Sequence, residues 1–220
     1  MNAILPWKIA SYEGAFTTGQ AGRLVGRSAS DIAKWMRGSR PLIHSDYEPL
    51  DGRIVLSFEA LIEARLISHM LAQGVSLRTL RAVSRRLKAA TGVNHPFAMD
   101  KKFVSEGFRM FEREGERLVN LANDCYADPA LMDPALQGRV VFERGRATYY
   151  VPFPSDLPHV RIDPRVAFGR PVVLANSRAI PTAKLADVAR LEGLEATADW
   201  YGVPEADVSQ AISFEERLAA

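Results

Sequence analysis

The side chains able to do chemistry are scattered along this sequence. The four histidines, a residue type that often binds metals or moves protons, show no pair at helical metal-ligand spacing: His44, His69, His95 and His159. Asp124, Asp128 and Asp133 are of the type that holds a divalent metal in a nuclease, but prolines interrupt their segment. A phosphate-cradling glycine loop and a nucleophile elbow are both missing from the sequence. We therefore expect no enzyme activity and no cofactor or metal.

Composition and charge indicate the setting in which the protein works. The single cysteine, Cys125, excludes an internal disulfide framework and fits a reducing cytosol, where it would fill a small core site. No apolar run approaches the roughly 20 residues that cross a bilayer, and the first 16 residues lack signal-peptide features. The expected location is cytoplasmic, with no membrane partner.

The charge is distributed unevenly. Residues 1–92 carry 13 Lys+Arg against 7 Asp+Glu, a balance of +6, whereas residues 182–220 carry 3 against 8, a balance of −5. A basic N-terminal part favours a polyanionic partner. An unevenly charged but merely solvated surface is the alternative.

Two short helices are predicted within residues 16–38. Thr17 and Gln20 have the spacing of a capping box, and the helix that follows would run to about Leu24 and stop near Gly26. Ser28 with Asp31 repeats the capping pattern and opens a second helix that ends before Gly38.

The second helix has two unlike faces. Ile32, Trp35 and Met36 recur at helical spacing and would bury against the first helix, while the opposite face carries Ser30, Lys34 and Arg37. Such a pair is a helix-turn-helix, whose second helix can enter the DNA major groove. The alternative is an ordinary helical hairpin with a polar face covered by water.

A winged arrangement is predicted to follow. Asp51-Gly52 indicates a hairpin turn and residues 54–58 a β-rich run, the pattern of a wing. Ser57 would cap a long helix that Gly74 ends, and Ser76 would open another. The latter carries an apolar stripe (Leu77, Leu80, Ser84 and Leu87) beside a basic stripe (Arg78, Arg81, Arg85 and Lys88).

This order of parts resembles the N-terminal winged domain of MerR-type transcription regulators over residues 16 to about 90. The match is most telling in "AQGVSLRTLR", and it lacks the MerR coiled-coil helix and metal-binding cysteines. As a DNA reader, the domain would place Ser30 and Lys34 on base edges and hold phosphates mainly through arginines. The candidate DNA-binding residues are Arg27, Ser28, Ser30, Lys34, Arg37, Arg40, His44 and Arg53. His44 could equally sit in water. One monomer makes few such contacts, so we expect a homodimer on an inverted repeat of double-stranded operator DNA.

The middle of the chain is predicted to be a β-rich connection. A first hairpin is compatible with residues 103–121, and a second is indicated by "GRVVFERGRATYY" with its turn at Arg144-Gly145. Prolines after residue 151 mark a linker. We thus expect three segments: 13–92, 93–158 and 159–220.

The C-terminal segment resembles a small antitoxin-associated family of domains of unknown function, found in VapB-type antitoxins. The matching pieces are Asp163-Pro164, the run "GRPVV" from Gly169, Arg178 with Ile180-Pro181, and "AISF" from Ala211. The whole chain also resembles an antitoxin arrangement with a MerR-like reader first. The resemblance implies that this segment binds a PIN-like ribonuclease toxin with an acidic, Mg-dependent centre. Arg165, Arg170 and Arg178 are the candidate toxin-binding residues, internal ion pairing being the alternative.

The tail also has a helical pattern of its own. Thr182 would cap a helix that Gly193 ends, and a second helix-turn-helix pattern follows around Gly202. Its last helix carries Glu205, Asp207, Glu215 and Glu216 against Arg217, and carboxylates repel phosphates. We expect this unit to dock a protein or to dimerise.

The predicted fold is α+β and mainly α: a winged helix-turn-helix, a hairpin-containing middle and a small helix-turn-helix-like C-terminal domain. The leading hypothesis is an antitoxin that represses its own operon and neutralises a toxin. The alternative is a stand-alone MerR-like regulator with a dimerising tail.

Overall fold

A computed structural model describes residues 14–99, 104, 139–176 and 178–219. These residues form seven α-helices and three small antiparallel sheets, so the mixed α and β architecture is as predicted. The chain divides into two compact units, one within residues 16–148 and the other containing residues 149–219. Several predictions fall outside the described residues: Cys125, the carboxylates at 124, 128 and 133, and the hairpin at 103–121 apart from Val104.

Four helices build the first unit, each beginning at its predicted cap. They are α1 (Thr18–Val25), α2 (Ala29–Met36), α3 (Phe58–Ala72) and α4 (Leu77–Thr91). The side-chain oxygens of Thr17, Ser28, Ser57 and Ser76 each accept a backbone N–H three residues later. Such caps satisfy amide groups that have no partner inside the helix.

The wing region differs from its prediction in one respect. The turn at Asp51-Gly52 is present, with φ of 50° and 72°, and Leu50 and Arg53 exchange two backbone hydrogen bonds of 2.9 and 3.0 Å. The strand after it is only Val55–Leu56 (β2), which pairs antiparallel with Phe16–Thr17 (β1). Phe58 is helical instead of extended because Ser57 caps α3.

Helix α3 is the centre of the first unit. Its predicted inner residues Leu61, Ile62, Leu66 and Met70 are all fully buried. Glu63 is fully buried too, which its place near the helix start did not indicate. The 3₁₀ turn Pro96–Ala98 packs on α3, so this turn belongs to the same core.

A hairpin follows at the predicted place. It consists of β3 (Val140–Glu143) and β4 (Arg146–Tyr150), joined by Arg144-Gly145 with φ of 53° and 82°. Met99 forms an isolated β-bridge with Arg146. The division between the two units falls within β4, between Thr148 and Tyr149.

The second unit combines helices with a sheet that we did not predict. Strands β5 (Val160–Arg161), β6 (Val172–Ala175) and β7 (Arg178–Pro181) form an antiparallel sheet in that order. Helices α5 (Thr182–Glu192), α6 (Leu194–Tyr201) and α7 (Glu205–Ala219) follow, and α7 packs on the other two. Among the described residues, no helix is long and apolar enough to span a bilayer.

The helix-turn-helix pattern of the tail is present, with one correction. Gly202 ends α6 with a φ of 63°, and Val208 and Ala211 are fully buried in α7, as expected from their spacing. Thr182, however, is the first residue of α5 and not its cap. Its hydroxyl donates a hydrogen bond to the Glu215 carboxylate and lies 3.3 Å from the Pro171 carbonyl oxygen.

Candidate nucleic-acid interface

Helix α2 presents the face that the sequence predicted. Ile32, Trp35 and Met36 are 0%, 4% and 7% exposed, and α2 packs on α1. The opposite face leaves Ser30 and Lys34 exposed, and Arg37, which was predicted on this face, is exposed but follows the helix as its extended C-cap residue. Burial of the apolar stripe therefore fixes which way Ser30 and Lys34 point.

Two glycines set the close crossing of α1 and α2. Gly26 ends α1 in the left-handed region, with a φ of 72°. A Cβ added at Gly22 would lie 2.5 Å from the Arg27 carbonyl oxygen and 3.2 Å from the Ala29 nitrogen. The Gly22 position consequently requires the absence of a side chain, because backbone lies where the methyl would be.

Arg27, which was predicted to hold a phosphate, makes hydrogen bonds within the protein. Its Nε donates to Ser68 Oγ and its Nη2 to the Ser68 carbonyl oxygen, both at 2.9 Å. The Ser68 hydroxyl in turn donates to the Val25 carbonyl oxygen at 3.1 Å. The guanidinium is thus occupied within the protein, and it joins the turn before α2 to helix α3.

Ser28 and Lys34 differ in whether their polar side-chain atoms are available to bind a ligand. The Ser28 hydroxyl accepts the Asp31 N–H at 3.0 Å and donates to the Asp31 carboxylate at 2.8 Å, so it acts as a helix cap. Lys34 Nζ lies 3.9 Å from Asp31 Oδ1 and its side chain is 73% exposed. An ion pair this long and exposed contributes little. Lys34 is therefore available to a ligand, whereas the Ser28 hydroxyl is not.

The remaining predicted contacts lie outside α2. Arg40, His44 and Arg53 are all exposed, and none forms an ion pair with another described residue. Arg53 belongs to the turn at the tip of the wing, and the His44 ring centroid lies 6.3 Å from that of His95. The structure leaves these three side chains accessible to a partner.

A buried charged cluster, which sequence reasoning missed, is formed by Asp46, Glu63 and His95. His95 Nδ1 is 3.0 Å from Glu63 Oε2, and its Nε2 is 2.8 Å from Asp46 Oδ2. Burial alone would lower the pKa of His95, but the hydrogen bonds to the two carboxylates outweigh it and raise the pKa to about 9. The imidazole is therefore a cation at neutral pH, donating from both ring nitrogens.

This cluster joins three distant parts of the chain. Asp46 comes from the segment before the wing turn, Glu63 from α3, and His95 from the segment after α4. Burial would raise the pKa of Asp46, but its hydrogen bonds with His95 and Ser57 hold that pKa below 3.8. Among the described residues, no group of three such side chains has the arrangement of a metal site. The cluster joins the segment before the Asp51-Gly52 turn to α3 and to the segment after α4 through ion pairs.

In the second unit, the three candidate arginines divide into two kinds. Arg165 pairs internally with Asp163 through two hydrogen bonds of 2.9 and 3.0 Å, and Asp163 also accepts the Arg165 backbone N–H. Burial would raise the pKa of Asp163, but these contacts with Arg165 lower it. Arg170 and Arg178 are exposed and make no ion pair with a described residue. Only these two stand free for a partner.

The acidic face predicted on α7 is smaller than expected. Asp207 is 4% exposed and accepts a hydrogen bond from His159, whose backbone N–H donates to Gln210. The Glu215 carboxylate accepts a hydrogen bond from the Thr182 hydroxyl. Asp207 and Glu215 therefore organise the fold, and Glu205 and Glu216 remain exposed.

Comparison with known proteins gives a fold but no family. No protein-family model matches the chain, and no curated protein matches it either. Among solved structures, the chain is similar to the crystal structure of Rv2018 from Mycobacterium tuberculosis, with a TM-score of 0.70 and 21% sequence identity. The match covers 90% of this chain and 96% of Rv2018. At this identity the likeness concerns the fold alone.

Proposed function

We propose that this chain is a DNA-binding antitoxin that represses its own operon and neutralises a PIN-like ribonuclease toxin. The observation that carries the DNA-binding part is the α1–α2 unit. Caps and glycines fix its shape, burial of the apolar stripe leaves Ser30 and Lys34 on the outer face of α2, and Arg37 is exposed directly after the helix. The resemblances of the N-terminal part to MerR-type regulators and of the tail to VapB-type antitoxins supply the rest.

In this proposal α2 enters the major groove. Ser30 and Lys34 contact base edges, while Arg37, Arg40 and Arg53 hold phosphates. Arg27 mainly orients α2, because two of its N–H groups donate to Ser68. Few contacts remain for one monomer, which favours a homodimer on an inverted repeat.

Fluorescence anisotropy on DNA from upstream of the gene tests the repressor role. We expect specific, salt-sensitive binding that Lys34→Ala weakens about tenfold, the size of one good base contact. Lys184→Ala is the matched control, since Lys184 is an exposed helical lysine of the other unit. Binding no tighter than to random DNA, with and without a co-expressed toxin, would overturn the repressor role.

The toxin part needs a separate experiment. Arg170 and Arg178 are exposed cations that suit an acidic, Mg-dependent ribonuclease centre. We expect the product of a neighbouring short reading frame to co-purify with the chain and to lose ribonuclease activity. Arg170→Ala/Arg178→Ala should weaken this inhibition, and Arg190→Ala, which changes an exposed arginine on α5, should not. Repression without any such partner would indicate the stand-alone regulator instead.

A further inference from the structure

A basic cleft lies between the segment that follows α2 and one face of α4. It is a cavity of about 740 Å³, and five of its lining side chains are cationic: Arg40, Arg78, Arg81, Arg85 and Lys88. No carboxylate lines it. The proposed DNA contacts use Arg40 alone among these five residues, so that proposal leaves the four cations of α4 without a role.

The cleft is built by the packing of α4. Arg78, Arg81, Arg85 and Lys88 follow one another at intervals of three or four residues, so they form one stripe about 15 Å long. Leu80 and Leu87 are buried, which fixes the direction in which the stripe faces. Four cations are thus held in a row on a rigid element.

The opposite wall of the cleft, the segment that follows α2, is held in place by hydrogen bonds. The Leu42 and Ile43 amides donate to the Trp35 carbonyl oxygen at 2.8 and 3.1 Å, at the end of α2. Lys88 Nζ donates to the Leu42 carbonyl oxygen at 3.4 Å and so joins the wall to α4. Arg40 and Pro41 directly precede this anchored segment. The cleft is therefore formed before any ligand arrives.

Its charge is uncompensated by the protein. Within the described part of the chain, Arg40, Arg78, Arg81 and Arg85 form no ion pair with a carboxylate. Like charges at helical spacing repel one another, and a concave surface concentrates their field. An anion with several charges would relieve this repulsion.

We infer that the cleft binds a small oligophosphate, a chain of phosphate groups such as a nucleoside triphosphate or inorganic tripolyphosphate. Guanidinium groups match phosphate oxygens with paired hydrogen bonds, and sites for small molecules enclose about 300–1,000 Å³. The apolar wall of Pro41, Leu42 and Ala82 can take a nucleoside. This inference does not rest on the proposed function.

Isothermal titration of the full chain with tripolyphosphate, ATP and orthophosphate tests the inference. We expect one saturable site for tripolyphosphate and ATP, with orthophosphate at least about tenfold weaker because it presents fewer charges. ATP binding more tightly than tripolyphosphate would place the nucleoside on the apolar wall, and equal affinity would assign the site to the phosphate chain. Either result supports an oligophosphate site.

A double variant in the cleft and a control double variant outside it complete the test. Arg81→Ala/Arg85→Ala should weaken tripolyphosphate binding about tenfold or more, and Arg23→Ala/Lys184→Ala, which removes the same charge from exposed positions elsewhere, should change it less than about twofold. Thermal melting verifies that both variants fold. The absence of saturable binding to wild type, or equal losses in both variants, would overturn the inference. A cleft variant that loses DNA binding but keeps oligophosphate affinity would also overturn it, since the cleft would then contact the nucleic acid backbone.

Discussion

Arg27 and Ser68 are joined by two hydrogen bonds of 2.9 Å, although 41 residues separate them in the chain. One bond reaches the serine hydroxyl and the other its main-chain carbonyl oxygen. The turn between α1 and α2 is thereby attached to the buried helix α3. A residue that looks like a phosphate contact in the sequence is part of what orients the candidate DNA-reading helix.

Replacing Arg27 should cost stability. We expect Arg27→Ala to lower the free energy of unfolding by about 1–3 kcal/mol, because it leaves the Ser68 acceptors without their charged donor. Urea denaturation followed by circular dichroism measures the change. Arg23→Ala is the control, since Arg23 is exposed on α1 and its loss should stay within about 0.5 kcal/mol. Equal effects of the two substitutions would contradict the role assigned to Arg27.

The two glycines inside α1 should respond in opposite ways to alanine. Gly22→Ala should destabilise the protein by about 1–3 kcal/mol because the new methyl meets the Arg27 carbonyl oxygen. Gly19→Ala meets only Thr17 Oγ1, at 3.9 Å, and should be neutral or stabilising by up to about 1 kcal/mol. Thermal melting of both variants checks this, and a stable Gly22→Ala protein would show that the helices can move apart.

Because of the buried His95, we expect the free energy of unfolding to fall as the pH becomes alkaline. Its pKa is raised, so the stabilisation is complete below the unfolded value of 6.5 and is lost as the pH rises through about 9. We expect a loss of roughly 2–3 kcal/mol between pH 6.5 and 10, measured by urea denaturation across that range.

Two histidine variants separate this cluster from general alkaline effects. His95→Gln should be less stable than wild type at pH 7 and should lack most of the alkaline loss, because glutamine cannot carry the proton. His44→Gln changes an exposed histidine and should keep the wild-type profile. If His95→Gln retained the same pH profile, another group would be responsible.

Salt dependence should distinguish Arg37 from Arg27 on operator DNA. We expect Arg37→Ala to reduce the slope of log K against log salt by about 0.9, the value for one phosphate contact. Arg27→Ala should leave the slope unchanged, since its guanidinium is bound to Ser68. Anisotropy titrations at several salt concentrations, under conditions where both variants are folded, give the slopes. A lower slope for Arg27→Ala would return that residue to the DNA contacts.

The parts of the fold that the sequence predicted depend on short-range signals. A capping residue and its amide are three positions apart, as with Thr17 and Gln20, and a glycine with positive φ, such as Gly26, reports on its own turn. The buried stripe of α2 repeats every three or four residues. Caps, turns and helix faces could therefore be predicted from the sequence without any knowledge of tertiary contacts.

The missed features join residues far apart in the chain. His95 meets Glu63 and Asp46 across separations of 32 and 49 residues, and neither carboxylate has a local pattern that indicates burial. The sheet in the second unit was missed because β5 is two residues long and β6 and β7 are four residues each, too short for alternation to show. The basic stripe of α4 was visible, but its opposite wall at Arg40 was not.

The close approach at Gly22 has a consequence for how this protein could diverge. The residues that set the geometry of α1 and α2 point inward or lie in the turn, and they are distinct from Ser30 and Lys34 on the outer face of α2. Substitution of these two residues leaves the caps, the glycines and the buried contacts of the unit in place. If α2 reads DNA as proposed, its binding preference can change without loss of the fold, and new specificities can be selected from a library that varies only two codons.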